Sequence, residues 1–155
     1  MVAEMICPDQ EHRIGRQMAV KLMTERVRNA SCRCGQLRIA CSGEPIRVSV
    51  CHCRNCKARS GSAFAAQARF PADQVRTEGE AKLYQHPGGS GTLADFYFCE
   101  NCGSTLWFLN HPELDSYAVP IGNFEPGHDF EPQFSVYEDR QEPWVCIVGE
   151  AIERL

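Results

Sequence analysis

Two cysteine motifs decide the fold: Ser31-Cys32-Arg33-Cys34-Gly35 and Phe98-Cys99-Glu100-Asn101-Cys102-Gly103-Ser104. In each motif a glycine follows the second cysteine, and glycine lets the backbone turn beneath a pair of sulfurs. One pair supplies half of the ligands that a structural zinc ion takes, so the two pairs are expected to share one ion. We therefore predict a closed structural zinc site made of Cys32, Cys34, Cys99 and Cys102. The alternatives are a redox-active Cys-x-x-Cys dithiol and cysteines that are simply buried.

A second cluster, Cys51-His52-Cys53-Arg54-Asn55-Cys56, carries three cysteines within six residues. On an extended segment Cys51 and Cys53 point the same way, and a turn after them can bring Cys56 close. Three thiolates and one open ligand position are typical of a catalytic zinc site. His52 is a weaker candidate for the fourth ligand, because strand alternation turns it away from the cysteines on either side.

Three basic residues, Arg54, Lys57 and Arg59, crowd this second cluster. Nearby cations lower the pKa of cysteine and attract anionic ligands. The three residues are therefore candidates for contact with an anionic substrate. Equally, they fit solvated surface charges with no role in binding.

The length, composition and net charge limit the classes of protein to which this chain can belong. A chain of 155 residues with 43% hydrophobic residues suits one globular domain. The net charge of −4 disfavours a general nucleic-acid binder, which needs a basic surface. Ten cysteines occur without an apolar run long enough for a secretory signal or a membrane span. We therefore predict a cytoplasmic protein whose clustered cysteines stay reduced and bind metal. The oligomeric state is left open.

Short segments with period-two alternation predict a mainly β fold with little helix. The clearest are residues 37–41 and 46–50, which are separated by the turn Ser42-Gly43-Glu44-Pro45. Further strands are predicted at residues 62–70, 81–85, 93–98, 105–109, 117–121 and 145–148. Many short strands joined by turns indicate antiparallel sheets.

The sequence predicts an N-terminal segment that is less well ordered than the domain that follows it. Residues 1–29 form a polar, mixed-charge lead, partly disordered or with a short helix at Ile14–Val27. Residues 30–155 form the zinc-binding domain. Met23 opens the run into the cysteine-rich part and is interpreted as the natural start, which makes residues 1–22 dispensable.

The remaining cysteines and large aromatics are given simpler roles. Cys41 and Cys146 fit no ligand spacing and are expected as small buried hydrophobic residues. The aromatic residues Trp107, Phe108, Phe124 and Trp144 are expected in the core more than on a protein-binding face.

The order and spacing of the seven clustered cysteines resemble the glutathione-dependent formaldehyde-activating enzyme family, which includes the centromere protein V-like domains. The resemblance runs from about Ser31 to Val148 and includes Ser60-Gly61 and the pair Tyr137 and Trp144. It implies an Mss4-like β-tent of antiparallel sheets with zinc knuckles.

The resemblance also implies two Zn2+ ions per chain. Cys32, Cys34, Cys99 and Cys102 would hold the structural ion, and Cys51, Cys53 and Cys56 a catalytic ion that is more easily displaced. The implied activity is carbon–sulfur lyase chemistry, which joins formaldehyde and glutathione as S-hydroxymethylglutathione or releases them. Arg54, Lys57 or Arg59 would hold a glutathione carboxylate.

Two other functions stay open on the sequence alone. A non-catalytic zinc module could bind a protein partner, and a thiol–disulfide or sulfoxide reductase could use the three-cysteine cluster without metal. Metal content would distinguish the reductase, which uses the cluster without metal, from the lyase and the binding module, which both hold zinc. A pocket beside the three-cysteine site separates the lyase from the binding module.

Overall fold

The computed structural model describes residues 26–88, 91–112, 114–149 and 151–155. The described residues form strands β1 Val27–Ser31, β2 Arg38–Ser42, β3 Arg47–Cys51, β4 Ala65–Pro71, β5 Val75–Glu78, β6 Lys82–Pro87, β7 Leu93–Phe98, β8 Thr105–Asn110, β9 Ser116–Pro120, β10 Phe134–Val136 and β11 Glu153–Arg154, and helix α1 Arg54–Ser60. This part of the chain contains no helix of the length and apolar character that a membrane crossing requires.

The strands form two sheets. The small sheet has the order β1-β2-β5, and the large sheet has the order β11-β10-β3-β4-β9-β8-β7-β6. Neighbouring strands are antiparallel, except that β10 pairs in parallel with both β3 and β11. The prediction of a mainly β, antiparallel fold with little helix is confirmed.

A hydrophobic cluster of described residues joins the two sheets. The large sheet contributes alternate residues such as Val48, Ala68 and Val119, which lie side by side on three neighbouring strands. The small sheet contributes Ile39 and Cys41, both almost fully buried. Successive side chains on a strand point to opposite faces, so the residues that alternate with these core residues lie on the other face of the large sheet.

The structure differs from the predicted elements at several places, and strands β1, β5, β10 and β11 lie where no strand was predicted. Strand β1 begins at Val27, before the expected boundary at residue 30, and helix α1 occupies a segment expected to be only a turn. The strand predicted at residues 145–148 is wrong, because the segment has no strand pairing and opens with a turn from Glu142 to Val145. The short β11 pairs with β10 instead. The predicted helix at Ile14–Val27, apart from its last two residues, and the predicted start at Met23 lie outside the described residues.

Candidate metal centre and active site

The first cluster lies where one turn from each sheet meets. Cys32 and Cys34 belong to the turn between β1 and β2, while Cys99 and Cys102 belong to the turn between β7 and β8. In both turns the glycine N–H donates to the carbonyl of the first cysteine: Gly35 to Cys32, three residues back, and Gly103 to Cys99, four residues back. Both glycines have φ near +75°, a conformation that favours glycine.

The four sulfurs of this first cluster are close enough to share one ion. All four lie within 4.8 Å of one another. The Sγ atoms of Cys32 and Cys34 are 3.6 Å apart, and those of Cys34 and Cys99 are also 3.6 Å apart. A tetrahedron with zinc–sulfur bonds of about 2.3 Å has sulfurs about 3.8 Å apart. The donor set therefore fits a zinc ion with a closed ligand shell.

Hydrogen bonds prepare this cluster to hold thiolates. The hydroxyl and backbone N–H of Ser104 lower the pKa of Cys102 to about 5, and the backbone N–H of Gln36 lowers the pKa of Cys34. Burial acts the other way on Cys99 and raises its pKa to about 11. In the metal-free protein the cluster is thus partly ionised at neutral pH, and metal binding would release the remaining protons.

The second cluster is built at a strand-to-helix junction. Cys51 ends β3, Cys53 caps the N-terminus of α1, and Cys56 lies in the first turn of that helix. The backbone N–H of Cys56 donates to the sulfur of Cys53 at 3.4 Å. Gly61 ends the helix in the left-handed conformation, with its N–H bonded to the carbonyl of Lys57. The helix therefore fixes where the third cysteine stands.

The three sulfurs of the second cluster also lie within 4.8 Å of one another. A hydrogen bond from Cys51 lowers the pKa of Cys56 to about 6, and the nearby guanidinium of Arg59 contributes in the same direction. The same bond, together with burial, raises the pKa of Cys51. No fourth cysteine, histidine or carboxylate of the described residues joins the group. Three thiolate donors without a fourth fit a zinc ion that keeps an exchangeable position.

His52, the weaker candidate for a fourth ligand, lies apart from the sulfurs. Its side chain is fully buried, and Nε2 is 3.3 Å from the hydroxyl of Ser135 on β10. Burial lowers the pKa of His52 and so favours the neutral form of the ring. Its position between Cys51 and Cys53 therefore serves packing between β3 and β10.

The three basic residues of the cluster have different surroundings. The ammonium of Lys57 bonds to the carboxylate of Glu142 and to the carbonyl of Arg140, both at 2.6 Å. Lys57 thereby fastens the segment after β10 to α1. Arg54 is exposed, whereas Arg59 is partly buried and its guanidinium lies 5.0 Å from the centre of the Phe108 ring. Of the three, Arg59 is the one held beside the sulfurs.

The other cysteines and aromatics divide between core and surface. Cys41 is fully buried as expected, but Cys146 is exposed and disulfide-bonded, so its expected burial is wrong. Trp107, Phe108 and Phe124 are buried, and Trp144 is 67% exposed. The core interpretation holds for three of the four aromatics.

A cavity of about 370 Å³ lies away from both clusters, and none of the seven cysteines lines it. Its walls include Glu44, Asp129 and Glu131. None of the three basic residues of the second cluster lines this cavity either, so it is not the site of the predicted chemistry.

The sequence motifs did not point to a row of residues on the face of the large sheet that carries Cys51. In this cross-strand row each residue stands directly opposite the next on the neighbouring strand, in the order Arg47, Arg69, Ala118, Phe108, Phe96 and Tyr84. These residues are far apart in sequence and share no motif. Only the pairing of the strands brings them together, so no sequence signal could have found them.

Comparison with known proteins gives a consistent result. Residues 27–140 match the family model described as glutathione-dependent formaldehyde-activating enzyme. A Schizosaccharomyces pombe protein named as an uncharacterized lyase is 30% identical over 78 residues, which is 50% of this chain and 54% of that protein. The chain thus matches only about half the length of this curated relative.

A solved structure of a Rhodobacter sphaeroides protein has a similar fold. It superposes with a TM-score of 0.51 at 24% identity, over 65% of this chain and 91% of the other. At this level of identity the match supports the fold alone.

Proposed function

Because the chain belongs to the glutathione-dependent formaldehyde-activating enzyme family, we propose that it is a zinc-dependent carbon–sulfur lyase. Its substrate would be a small thiol adduct, such as the one that glutathione forms with formaldehyde. The observation that carries the proposal is the trio Cys51, Cys53 and Cys56, whose sulfurs lie together without a fourth ligand among the described residues. The closed four-cysteine cluster is assigned the structural ion, which gives two zinc ions per chain.

The reaction is an addition and its reversal. In the forward direction the thiol sulfur forms a bond to the carbonyl carbon, and the π pair of the carbonyl moves to oxygen. The oxygen takes up one proton and the thiol loses one, so nothing is oxidised or reduced. A zinc ion with an exchangeable position supplies a Lewis acid for such a step.

The protein's own groups hold and orient the reactants. The three sulfurs would bind the metal, and their close spacing is fixed by the strand end and the capped helix. Arg59 would direct a negatively charged thiol toward the cluster, because it stands beside Cys56. Lys57, already bonded to two acceptors, would act by holding the neighbouring segment in place. Arg54, which is exposed, remains a candidate for contact with the substrate.

The test is a measurement of exchange at equilibrium, since thiols add to formaldehyde without a catalyst. Exchange of 13C-labelled formaldehyde with its glutathione adduct can be followed by two-dimensional NMR. We expect the zinc-loaded protein to raise the exchange rate at an unchanged equilibrium constant. The Cys53→Ser variant should return the rate to its uncatalysed value.

Arg76→Gln is the matched control, because Arg76 is exposed on the small sheet. It should behave as the unaltered protein. A protein that carries two zinc ions but leaves the exchange rate unchanged would contradict the lyase proposal and favour a non-catalytic zinc module.

A further inference from the structure

Strand β6 is an edge of the large sheet. Among the described strands it pairs with β7 alone. An antiparallel pair forms its hydrogen bonds at alternate residues, so half of the backbone N–H and C=O groups of residues 82–86 point away from β7. None of these groups bonds to another backbone group in the part of the chain that the structure describes. The strand therefore offers a row of free donors and acceptors at the side of the sheet.

The other three edges of the two sheets are protected in ways that natural sheets commonly use. A following segment covers β1, where the N–H of Glu125 donates to the carbonyl of Asn29 at 2.9 Å. Strand β11 has only two residues, which is too short to serve as a template. Strand β5 carries charge at alternate positions, with Arg76 and Glu78 both exposed. Strand β6 is the exception among these described edges.

Strand β6 is longer than the other edges, and its exposed residues are largely apolar. It has six residues, of which Lys82 alone carries a permanent charge, and its ammonium is already paired with the carboxylate of Glu100. Leu83 and Tyr84 are 50% and 56% exposed. Because they are neighbours in a strand, they point to opposite faces of the sheet. A long edge with apolar side chains on both faces is suited to pairing with another strand.

The aromatic part of the cross-strand row also ends at this edge. The rings of Phe108 and Phe96 are 5.3 Å apart, and Phe96 stands opposite Tyr84. The rings of Tyr84 and His86 are stacked with their centres 5.8 Å apart, and the hydroxyl of Tyr84 is 3.3 Å from Nδ1 of His86. An added strand beside β6 would continue this aromatic surface and cover Tyr84.

The sequence of β6 is compatible with antiparallel pairing with itself. A two-fold axis at Gln85 places an amide opposite an amide, an aromatic ring opposite an imidazole and an apolar side chain opposite a proline. The pairs are Gln85 with Gln85 of the partner subunit, Tyr84 with His86 of the partner subunit and Leu83 with Pro87 of the partner subunit. No two charges of like sign face each other, because the one permanent charge of the strand lies outside these pairs.

We propose that β6 is a self-pairing edge, through which two copies of this chain join their large sheets into one continuous sheet. The contact is two-fold symmetric, so each copy contributes the same residues. A single short strand gives a small interface, and we therefore expect a weak dimer with a Kd on the order of 10 to 100 μM. This inference does not depend on the proposed lyase activity.

The first experiment measures the oligomeric state of the zinc-loaded protein by sedimentation velocity from about 1 μM to about 1 mM, which brackets the expected Kd. We expect monomer at the low end and dimer at the high end. Tyr84→Lys and Leu83→Lys each add a charge to the edge and should weaken the dimer about 10-fold or more. Thr77→Lys is the matched control, because it adds the same charge at an exposed position of β5 and should leave the dimer unchanged. Circular dichroism checks that each variant is folded.

The second experiment locates the contact without any substitution. Amide hydrogen exchange of the unaltered protein is compared at the two ends of the concentration range. We expect the amides of β6 that point away from β7 to exchange more slowly at high concentration, and those of β5 to be unchanged. If a lysine variant loses its fold, this measurement decides.

The outcomes are distinct. Loss of the dimer in both lysine variants, together with protection of β6 that depends on concentration, supports the self-pairing edge. A protein that stays monomeric up to about 1 mM overturns it, even if β6 binds an added extended peptide. A dimer that both lysine variants leave intact, or that gives β6 no added protection, overturns it as well.

Discussion

The two cysteine clusters use the same ligand type but are assembled in different ways. The four-cysteine cluster joins a turn of the small sheet to a turn of the large sheet, with Cys34 and Cys99 in contact across 65 residues of sequence. The three-cysteine cluster comes from one junction between β3 and α1. The first connects the two sheets, and the second is a local feature at the end of one interior strand of the large sheet.

Because of this difference, we expect the four-cysteine cluster to stabilise the fold and the three-cysteine cluster to carry the chemistry. A metal in the four-cysteine cluster closes a long loop, so its binding energy becomes folding energy. A metal in the three-cysteine cluster closes only a short loop that β3 and α1 already hold. We therefore expect the fold to tolerate an incomplete ligand set at the second site.

The largest expected effect is at the four-cysteine cluster. Cys99→Ser removes a fully buried ligand from the closed shell. A structural zinc contributes on the order of 10 kcal/mol in small domains, about as much as the net stability of a typical domain. We expect this variant to lose cooperative thermal unfolding, as measured by circular dichroism. A zinc-free variant that still unfolds cooperatively near the original Tm would break the proposed division between the clusters.

The second prediction concerns metal removal. Because its ligand set is incomplete, the three-cysteine cluster should give up its ion first to a chelator or to excess thiol. Zinc release monitored with a colour indicator should show one fast equivalent and one slow equivalent. The slow phase should follow the rate of unfolding. Release of both ions in one phase would show that the two sites are equally closed.

The third prediction uses the double role of Cys53 as ligand and helix cap. Serine is a good N-cap and alanine is not, so Cys53→Ser should lose the second zinc and keep α1. Cys53→Ala should lose the zinc and about 1 kcal/mol more of the free energy of unfolding. Denaturant unfolding together with zinc analysis tests both. Equal stability of the two variants would mean that the cap contributes nothing.

The smallest expected effect is at Lys57. Its bonds to Glu142 and Arg140 are partly exposed, so Lys57→Gln should lower the free energy of unfolding by only about 1 kcal/mol. Zinc content should stay at two ions per chain. Hydrogen exchange should accelerate in the segment after β10, which Lys57 fastens to α1. Unchanged exchange in that segment would show that Lys57 does not hold it.

The two clusters were visible in the sequence because metal ligands impose spacing. Each cysteine pair with its glycine encodes a turn, and residue order alone then indicates which sulfurs meet. The alternating strands were visible for a similar reason, since one buried face imposes a period of two. Helix α1 was missed because seven residues are too short for a helical period to show.

The cross-strand row could not be predicted from local sequence patterns, because it depends on which strands pair. Arg69 and Phe108 lie on β4 and β8, and only the strand order brings them to one place with β9 between them. The pairing of β10 with β3 in parallel, which buries His52 against Ser135, depends equally on tertiary context. Sequence reasoning therefore predicted which cysteines come together but did not predict the side chains that surround them.

The sequence positions of the sulfurs also set an order of events during synthesis. All three ligands of the local cluster have left the ribosome once residue 56 has emerged, whereas the tie between the sheets needs residue 102. Between these points the nascent chain holds a complete trio and half of a structural site. We therefore expect a metal ion captured at this stage to bind the three-cysteine cluster, which offers three sulfurs, before the two sheets have come together.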